Sequence, residues 1–153
     1  MDVTEKIKEF LDSKNIKYKV MEHEPTPTSE IAAKVRGTSL EQAAKALVFR
    51  SEGKFLMCVV PGNSKVEFKK VKHIIKSDSL SLADRHEVEE VTETLPGGVP
   101  PFGNLFDIPV YLDKKLFDNQ EIVFNAGKQT VSIMMKLDDY IHAVRPIVDD
   151  LTQ

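Results

Sequence analysis

The amino-acid sequence predicts a mixed α+β fold, on three observations. Strand-like and helix-like segments follow one another irregularly, not as a regular β-α-β series. ALVFR and KFLMCVV are two strand-like runs joined only by SEG, a hairpin signature. No internal repeat, low-complexity tract or linker divides the 153 residues. Regular alternation would point to a doubly wound parallel sheet, whereas hairpins among scattered helices point to a mixed one. The length favours a single domain over residues 1–153 with one core.

The elements follow in order. Val3, Ile7, Phe10 and Leu11 form an apolar stripe, and Thr4 is placed to cap that helix. Residues 17–22 suit a short strand. EPTPTSEIAAKVRG starts with two prolines in extended backbone and becomes a helix from about Ser29 that stops at Gly37. Ser39 and Gln42 fit a capping box for one further turn. The ALVFR and KFLMCVV strands are apolar on both faces and are expected at the centre of the sheet. A basic helix covers about 67–76, and SLSLA is a short strand. Asp84 with Glu87 opens another helix, DRHEVEEV. IPVYLD, EIVFNAG and TVSIMMK are further strand candidates. Leu137, Tyr140, Ile141, Val144, Val148 and Leu151 keep helical spacing to the end, with a kink or split at Pro146.

Composition narrows the function. The chain is 41% hydrophobic and 29% charged, an ordinary globular profile. Its one cysteine, Cys58, cannot form an internal disulfide and reads as a small buried hydrophobe. MDVTEKIKEF lacks an apolar signal core, and no apolar run approaches the ~20 residues that span a bilayer. A soluble, cytoplasmic protein with no membrane partner is expected. A net charge of −3 argues against a general nucleic-acid binder but leaves room for a local basic face. Lys65, Lys69, Lys70, Lys72 and Lys76 supply one, opposed only by Glu67. That face is either the solvated side of an amphipathic helix or a surface for phosphates.

Common catalytic signatures are missing. There is no CxxC, HExxH, GxSxG or phosphate-binding GxxxxGK[ST], and His23, His73, His86 and His142 are scattered. Two features stand apart. Lys45, in AKALVF, stands where a helix end meets an apolar strand. It is either a lysine that extends its ammonium to the edge or a functional cation. GGVPPFG packs glycine and proline into one uncharged segment. It is either a tight crossover or a rigid cradle, in which glycines admit a close ligand and prolines hold the shape.

HEPTPTSEIA, AKALVF, VVPGNSKVEFKKVK, SLSLAD, EVEEVT, GGVPPFG, IPVYLD and IVFNAG occur here in order. Together, over about residues 20–135, they resemble the YbaK/prolyl-tRNA synthetase-associated domain, a family of freestanding aminoacyl-tRNA deacylases. The resemblance implies a mixed sheet curled towards a barrel and flanked by helices. It implies an editing hydrolase that cleaves the ester joining a wrong amino acid to tRNA, with no cofactor or metal. Lys45 matches the family's functionally important lysine. Gly97 to Pro101 match its GxxxP loop, so that Gly97, Gly98, Val99 and Pro101 would cradle the aminoacyl group, with Phe102 as an apolar wall. Asn125, Ala126, Gly127 and Ser132 match pocket positions. Met21, Asn125 and Ser132 stand where branches that remove cysteine carry tyrosine, serine and aspartate. These departures argue against cysteine and favour a small or hydroxylated side chain (alanine, serine or threonine), with cysteine kept in the wider candidate set. The implied partner is the acceptor end of an aminoacyl-tRNA, with tRNA-Pro a candidate and Lys65, Lys69, Lys70 and Lys72 as candidate contacts. A synthetase or elongation factor is a further candidate partner. The competing readings are a non-catalytic tRNA- or synthetase-binding module of the same fold and a hydrolase of small aminoacyl esters.

Overall fold

The computed structural model describes residues 1–153. The chain runs α1 (Val3–Ser13), β1 (Tyr18–Glu22), α2 (Ser29–Arg36), β2 (Ala44–Ser51), β3 (Lys54–Pro61) and α3 (Phe68–Ile75). It continues through β4 (Ser81–Leu82), α4 (Arg85–Thr92), a 3-10 turn at Gly103–Phe106, β5 (Val110–Asp113) and a second at Lys114–Asp118. It ends with β6 (Glu121–Lys128), β7 (Val131–Lys136), α5 (Leu137–Val144) and β8 (Ile147–Asp149).

Local chemistry explains most boundaries. The β2–β3 hairpin turns at Glu52 and Gly53, both with positive φ, as a two-residue hairpin turn requires. α4 carries the expected capping box, with Asp84 and Glu87 bonding each other's backbone N–H. α2 is capped by Thr28 and ends on left-handed Gly37.

Two expectations need correction. Asp2, not Thr4, caps α1: its carboxylate accepts from the Glu5 N–H at 2.9 Å. Thr4 lies inside the helix, buried, and its hydroxyl donates to the Ala126 carbonyl at 2.6 Å. Ser39 and Gln42 make the reciprocal bonds of the expected capping box, at 3.2 Å each, and close a single turn. The C-terminal helix stops at Val144, because Arg145 turns left-handed and Pro146 cannot continue the ladder. β8 follows and pairs in parallel with β5, leaving Val148 exposed and Leu151 wholly buried.

The strands form an antiparallel sheet in the order β1-β7-β6 and a mixed sheet in the order β4-β2-β3-β5-β8. One edge of β2 serves both. Its far end pairs with β4, and just before its start Ala43 bridges Val123 of β6, where the Val123 N–H donates to Gln42 O at 3.0 Å. Both sheets send side chains into one core: Val48, Met57 and Val59 from one, Ile122, Phe124, Ile133 and Met135 from the other. Strands wrapping a shared core through a bridging edge make the partly barrel-like sheet anticipated. α1 covers this core with Val3, Ile7 and Leu11. Alternate residues of β3 (Leu56, Cys58, Val60) point the other way, into a second cluster under α3.

Candidate active site

Three segments converge beside the bridged edge of β2. They are the extended stretch Thr26–Thr28 leading into α2, the beginning of β2, and the Gly97–Val99 loop lying against β6. They enclose a cleft of about 170 Å³. Ala32, Ala43, Ala44 and Ala46 line it, and their short side chains are what leave room. Polar groups enter from Thr26, Arg36, Lys45 and Asn125.

Lys45 is half-buried. Its Nζ donates one bond, to the Ser64 carbonyl at 3.2 Å, and makes no ion pair with a carboxylate. Desolvation lowers its pKa below the usual lysine value, with the charge of Glu30 opposing and that of Lys65 assisting.

The Gly/Pro loop is held firmly. Gly97 has φ +91°, a conformation that favours glycine, while the nearest atom to a Cβ there, Gln129 Nε2 at 2.8 Å, is the movable end of a side chain. The Gly98 N–H is used within the loop, donating to Leu95 O at 2.9 Å. The N–H groups of Gly97 and Val99 have no partner in the chain, and both residues line the cleft. The Gly97 carbonyl accepts from Asn125 Nδ2, which ties the loop to β6.

Other anticipated residues lie elsewhere. Phe102 does not face the cleft. Its ring is fully buried and stacks edge-on against Phe10, Phe124 and Tyr140. It backs the cleft only through Phe124. The Pro101 carbonyl accepts from the Tyr140 hydroxyl inside the core. Gly98 faces a neighbouring groove with Gly127. Gly127, at φ +94° in the irregular stretch of β6, meets Val3 and Thr4 of α1, where a Cβ would lie 3.2 Å away. Met21, Ser132 and Asn125 form one cross-strand row over β1, β7 and β6, yet only Asn125 lines the cleft.

Arg36, His23 and Thr26 escaped the sequence reading. Arg36 Nε donates to Ser132 Oγ at 2.8 Å, and Nη2 donates to Asn125 Oδ1 at 2.7 Å. His23 Nε2 lies 2.7 Å from Ser132 Oγ. Thr26 Oγ1 donates to Gln129 O at 3.1 Å and reaches Asn125 Oδ1 at 3.4 Å. Arg36 is the last residue of α2 before Gly37, where a basic side chain ordinarily complements the helix dipole, so its sequence context hides it.

The lysines of the basic helix divide. Lys70 Nζ is tethered to Asp150 at 2.9 Å and to Thr152 O at 2.6 Å. Lys65, Lys69 and Lys72 make no ion pair, and the last two border a shallow groove with His73 and Lys76. Lys65 lies close enough to Lys45 to repel its charge. Cys58 is wholly buried, and desolvation pushes its thiol up to about 12, so it is no nucleophile. No group of three or more His, Cys, Asp or Glu side chains could hold a metal ion, and no helix is long and apolar enough to cross a membrane.

Known proteins share this architecture. The chain is 30% identical over 142 residues to the multifunctional Ser/Thr-tRNA deacylase ProXp-y of Escherichia coli K12, covering 90% of this chain and 85% of that protein. It is 25% identical over 145 residues to the prolyl-tRNA editing protein ProX of Acetoanaerobium sticklandii, covering 91% and 88%. A crystal structure described as a candidate trans-editing enzyme for prolyl tRNA synthetase superposes with a TM-score of 0.88 at 25% identity, over 100% of this chain and 98% of that one. Residues 23–143 match the aminoacyl-tRNA editing domain, and the chain belongs to that family.

Proposed function

We propose that the protein is a trans-editing hydrolase that removes a small, wrongly attached amino acid from tRNA. One observation carries this reading: Lys45 lines the same small cleft as Gly97 and Val99, whose N–H groups have no partner in the chain, and as the polar residues Thr26, Asn125 and Arg36.

Water adds to the ester carbonyl carbon, the bond to the ribose oxygen breaks, and that oxygen takes the proton. Negative charge builds on the carbonyl oxygen in between. In this reading the unpartnered Gly97 and Val99 N–H groups receive it, and one such donor is typically worth ~3 kcal/mol. Gly98 is not a donor in this scheme, because Leu95 holds its N–H. Lys45 has N–H donors free beyond the Ser64 bond, for the ester or the terminal phosphate. No side chain in the cleft is an obvious base, so the ribose hydroxyl or the α-amino group of the substrate assists the water. The reaction requires no metal or organic cofactor. The cleft excludes large side chains by its alanine-lined volume, which complements the ~1–3 kcal/mol limit on sorting near-isosteric amino acids in a synthetase pocket.

The tRNA approaches from the Lys45 side. Lys65 is close enough to Lys45 to act on its charge, and Lys69 and Lys72 border a separate groove on α3, where phosphates would fix position without reading sequence. Relatives of this domain also occur within proline–tRNA ligases. One from Bacillus licheniformis is 30% identical over 92 residues, 60% of this chain and 16% of the ligase. tRNA-Pro is therefore the first carrier to test.

The test is deacylation of alanyl-, seryl-, threonyl- and cysteinyl-tRNA, each on tRNA-Pro and on its cognate tRNA. Rapid hydrolysis of one or two esters, lost in Lys45→Ala, supports the proposal. Binding without turnover indicates a non-catalytic module. Turnover of small aminoacyl esters with no benefit from tRNA indicates an esterase that does not use it.

A further inference from the structure

We propose that Arg36 is the specificity-determining residue of the cleft, and that it reads the side-chain oxygen of a hydroxylated amino acid. This rests on the deacylase reading and deepens it.

Arginine carries five N–H donors in a planar fork. In Arg36 two are used, on Ser132 Oγ and Asn125 Oδ1. No carboxylate pairs with it. Nη1 has no partner in the chain, yet it is not sealed away, since the only enclosed side-chain polar atom without a partner is Thr38 Oγ1. Burial without a counter-ion pushes the guanidinium down to about 10. An apolar occupant would take water from this open donor and leave it unmet, whereas an oxygen would satisfy it.

The fork is also fixed in orientation. His23 Nδ1 faces the Glu24 carbonyl at 2.8 Å and so donates, which in the neutral ring leaves Nε2 as the acceptor. The Ser132 hydroxyl therefore donates to His23 Nε2 and accepts from Arg36 Nε. The bonds run one way, from Arg36 through Ser132 and His23 to Glu24. Asn125 holds the other side and is itself bonded to the Gly97 carbonyl. The reader of the side chain and the ester-binding loop thus share one support.

A hydroxyl fits better than a carboxylate. Thr26 Oγ1 and Arg36 Nη2 converge on Asn125 Oδ1, at 3.4 and 2.7 Å. The Thr26 hydroxyl, whose proton is spent on Gln129 O or Asn125 Oδ1, offers lone pairs to a second donor. A serine or threonine hydroxyl can accept from Arg36 and donate to Thr26. A carboxylate can only accept.

The experiment compares kcat/KM for seryl- against alanyl-tRNA and threonyl- against valyl-tRNA, with aspartyl-tRNA as a further arm. The proteins are wild type, Arg36→Met and Arg36→Lys. Binding of non-hydrolysable seryl and alanyl 3′-amide adenosine analogues is measured in parallel. The wild type is expected to favour each hydroxylated ester by at least about 100-fold. In Arg36→Met that preference should shrink to a few-fold, mainly through loss of seryl and threonyl turnover, while Arg36→Lys keeps part of it. If no ester turns over but the seryl analogue still binds preferentially in an Arg36-dependent way, the subsite stands and the deacylase reading falls. An equal loss on seryl and alanyl substrates in Arg36→Met, no wild-type preference in turnover or binding, or a preference for aspartyl-tRNA would overturn the proposal.

Discussion

Replacing Lys45 with methionine should strengthen the fold and cripple the reaction. The ammonium is half-buried, holds a single 3.2 Å bond to Ser64 O, and has no carboxylate partner. Its lowered pKa, caused first by desolvation, means that the folded state disfavours the charge. Methionine keeps the length and apolar stem and removes the charge. Solvent still reaches the site, so a gain of about 0.5–1 kcal/mol is expected at pH 7. For a domain of this size that is roughly 1–4 °C in Tm. The sign in pH follows from linkage. Between the lowered folded pKa and the unfolded value of 10.5 the unfolded chain binds more protons, so wild-type stability rises with pH across that window. The advantage of Lys45→Met is full below the window, fades across it and is gone above 10.5. Thermal melts of both proteins from pH 7 to 11, beside a deacylation assay, measure this. Activity should fall by about 10²–10³, the usual cost of losing one electrostatic stabiliser. A variant less stable than wild type at pH 7, or a gain that stays constant to pH 11, refutes the reasoning.

Other outcomes follow from the same geometry. Gly97→Ala forces a side chain into φ +91°, so urea denaturation should show a loss of at least about 1 kcal/mol, and deacylation should fall more steeply than that loss of folded protein explains. Tyr140→Phe leaves the buried Pro101 carbonyl without its donor and should cost about 1–3 kcal/mol in chemical denaturation. Lys69→Glu with Lys72→Glu should raise KM for aminoacyl-tRNA and flatten its salt dependence while leaving small aminoacyl esters untouched. Lys70→Ala, by contrast, should shift the melting curve more than tRNA affinity, because Lys70 is bound to Asp150 and Thr152.

Features fixed by neighbours in sequence were legible. Glu52–Gly53 announces the hairpin, Asp84 and Glu87 announce α4, and Gly37 announces the end of α2. Errors arose where distant partners decide. Thr4 has the chemistry of a cap, but Ala126 claims its hydroxyl and Asp2 takes the position. Val148 and Leu151 happen to continue a helical spacing, yet β5 offers Ile147–Asp149 a free edge, and Asp113 Oδ1 receives the Leu151 N–H at 2.7 Å. The site divides in the same way. Lys45 and the Gly/Pro loop were conspicuous because their composition clashes with a plain strand or solvent loop. Phe102 was misplaced because an aromatic ring beside a loop can as readily turn inward, as it does here towards Tyr140. Arg36 was invisible because only the fold of β6 and β7 over the end of α2 brings Asn125 and Ser132 to it.

The most direct test of the central claim is single-turnover hydrolysis of seryl- and threonyl-tRNA at saturating enzyme, where weak tRNA binding no longer limits the rate. The account predicts rapid release of the amino acid by wild type and release at the buffer rate by Lys45→Ala, with both proteins folded by circular dichroism. Equal rates for the two proteins would place the chemistry outside the cleft and contradict the account.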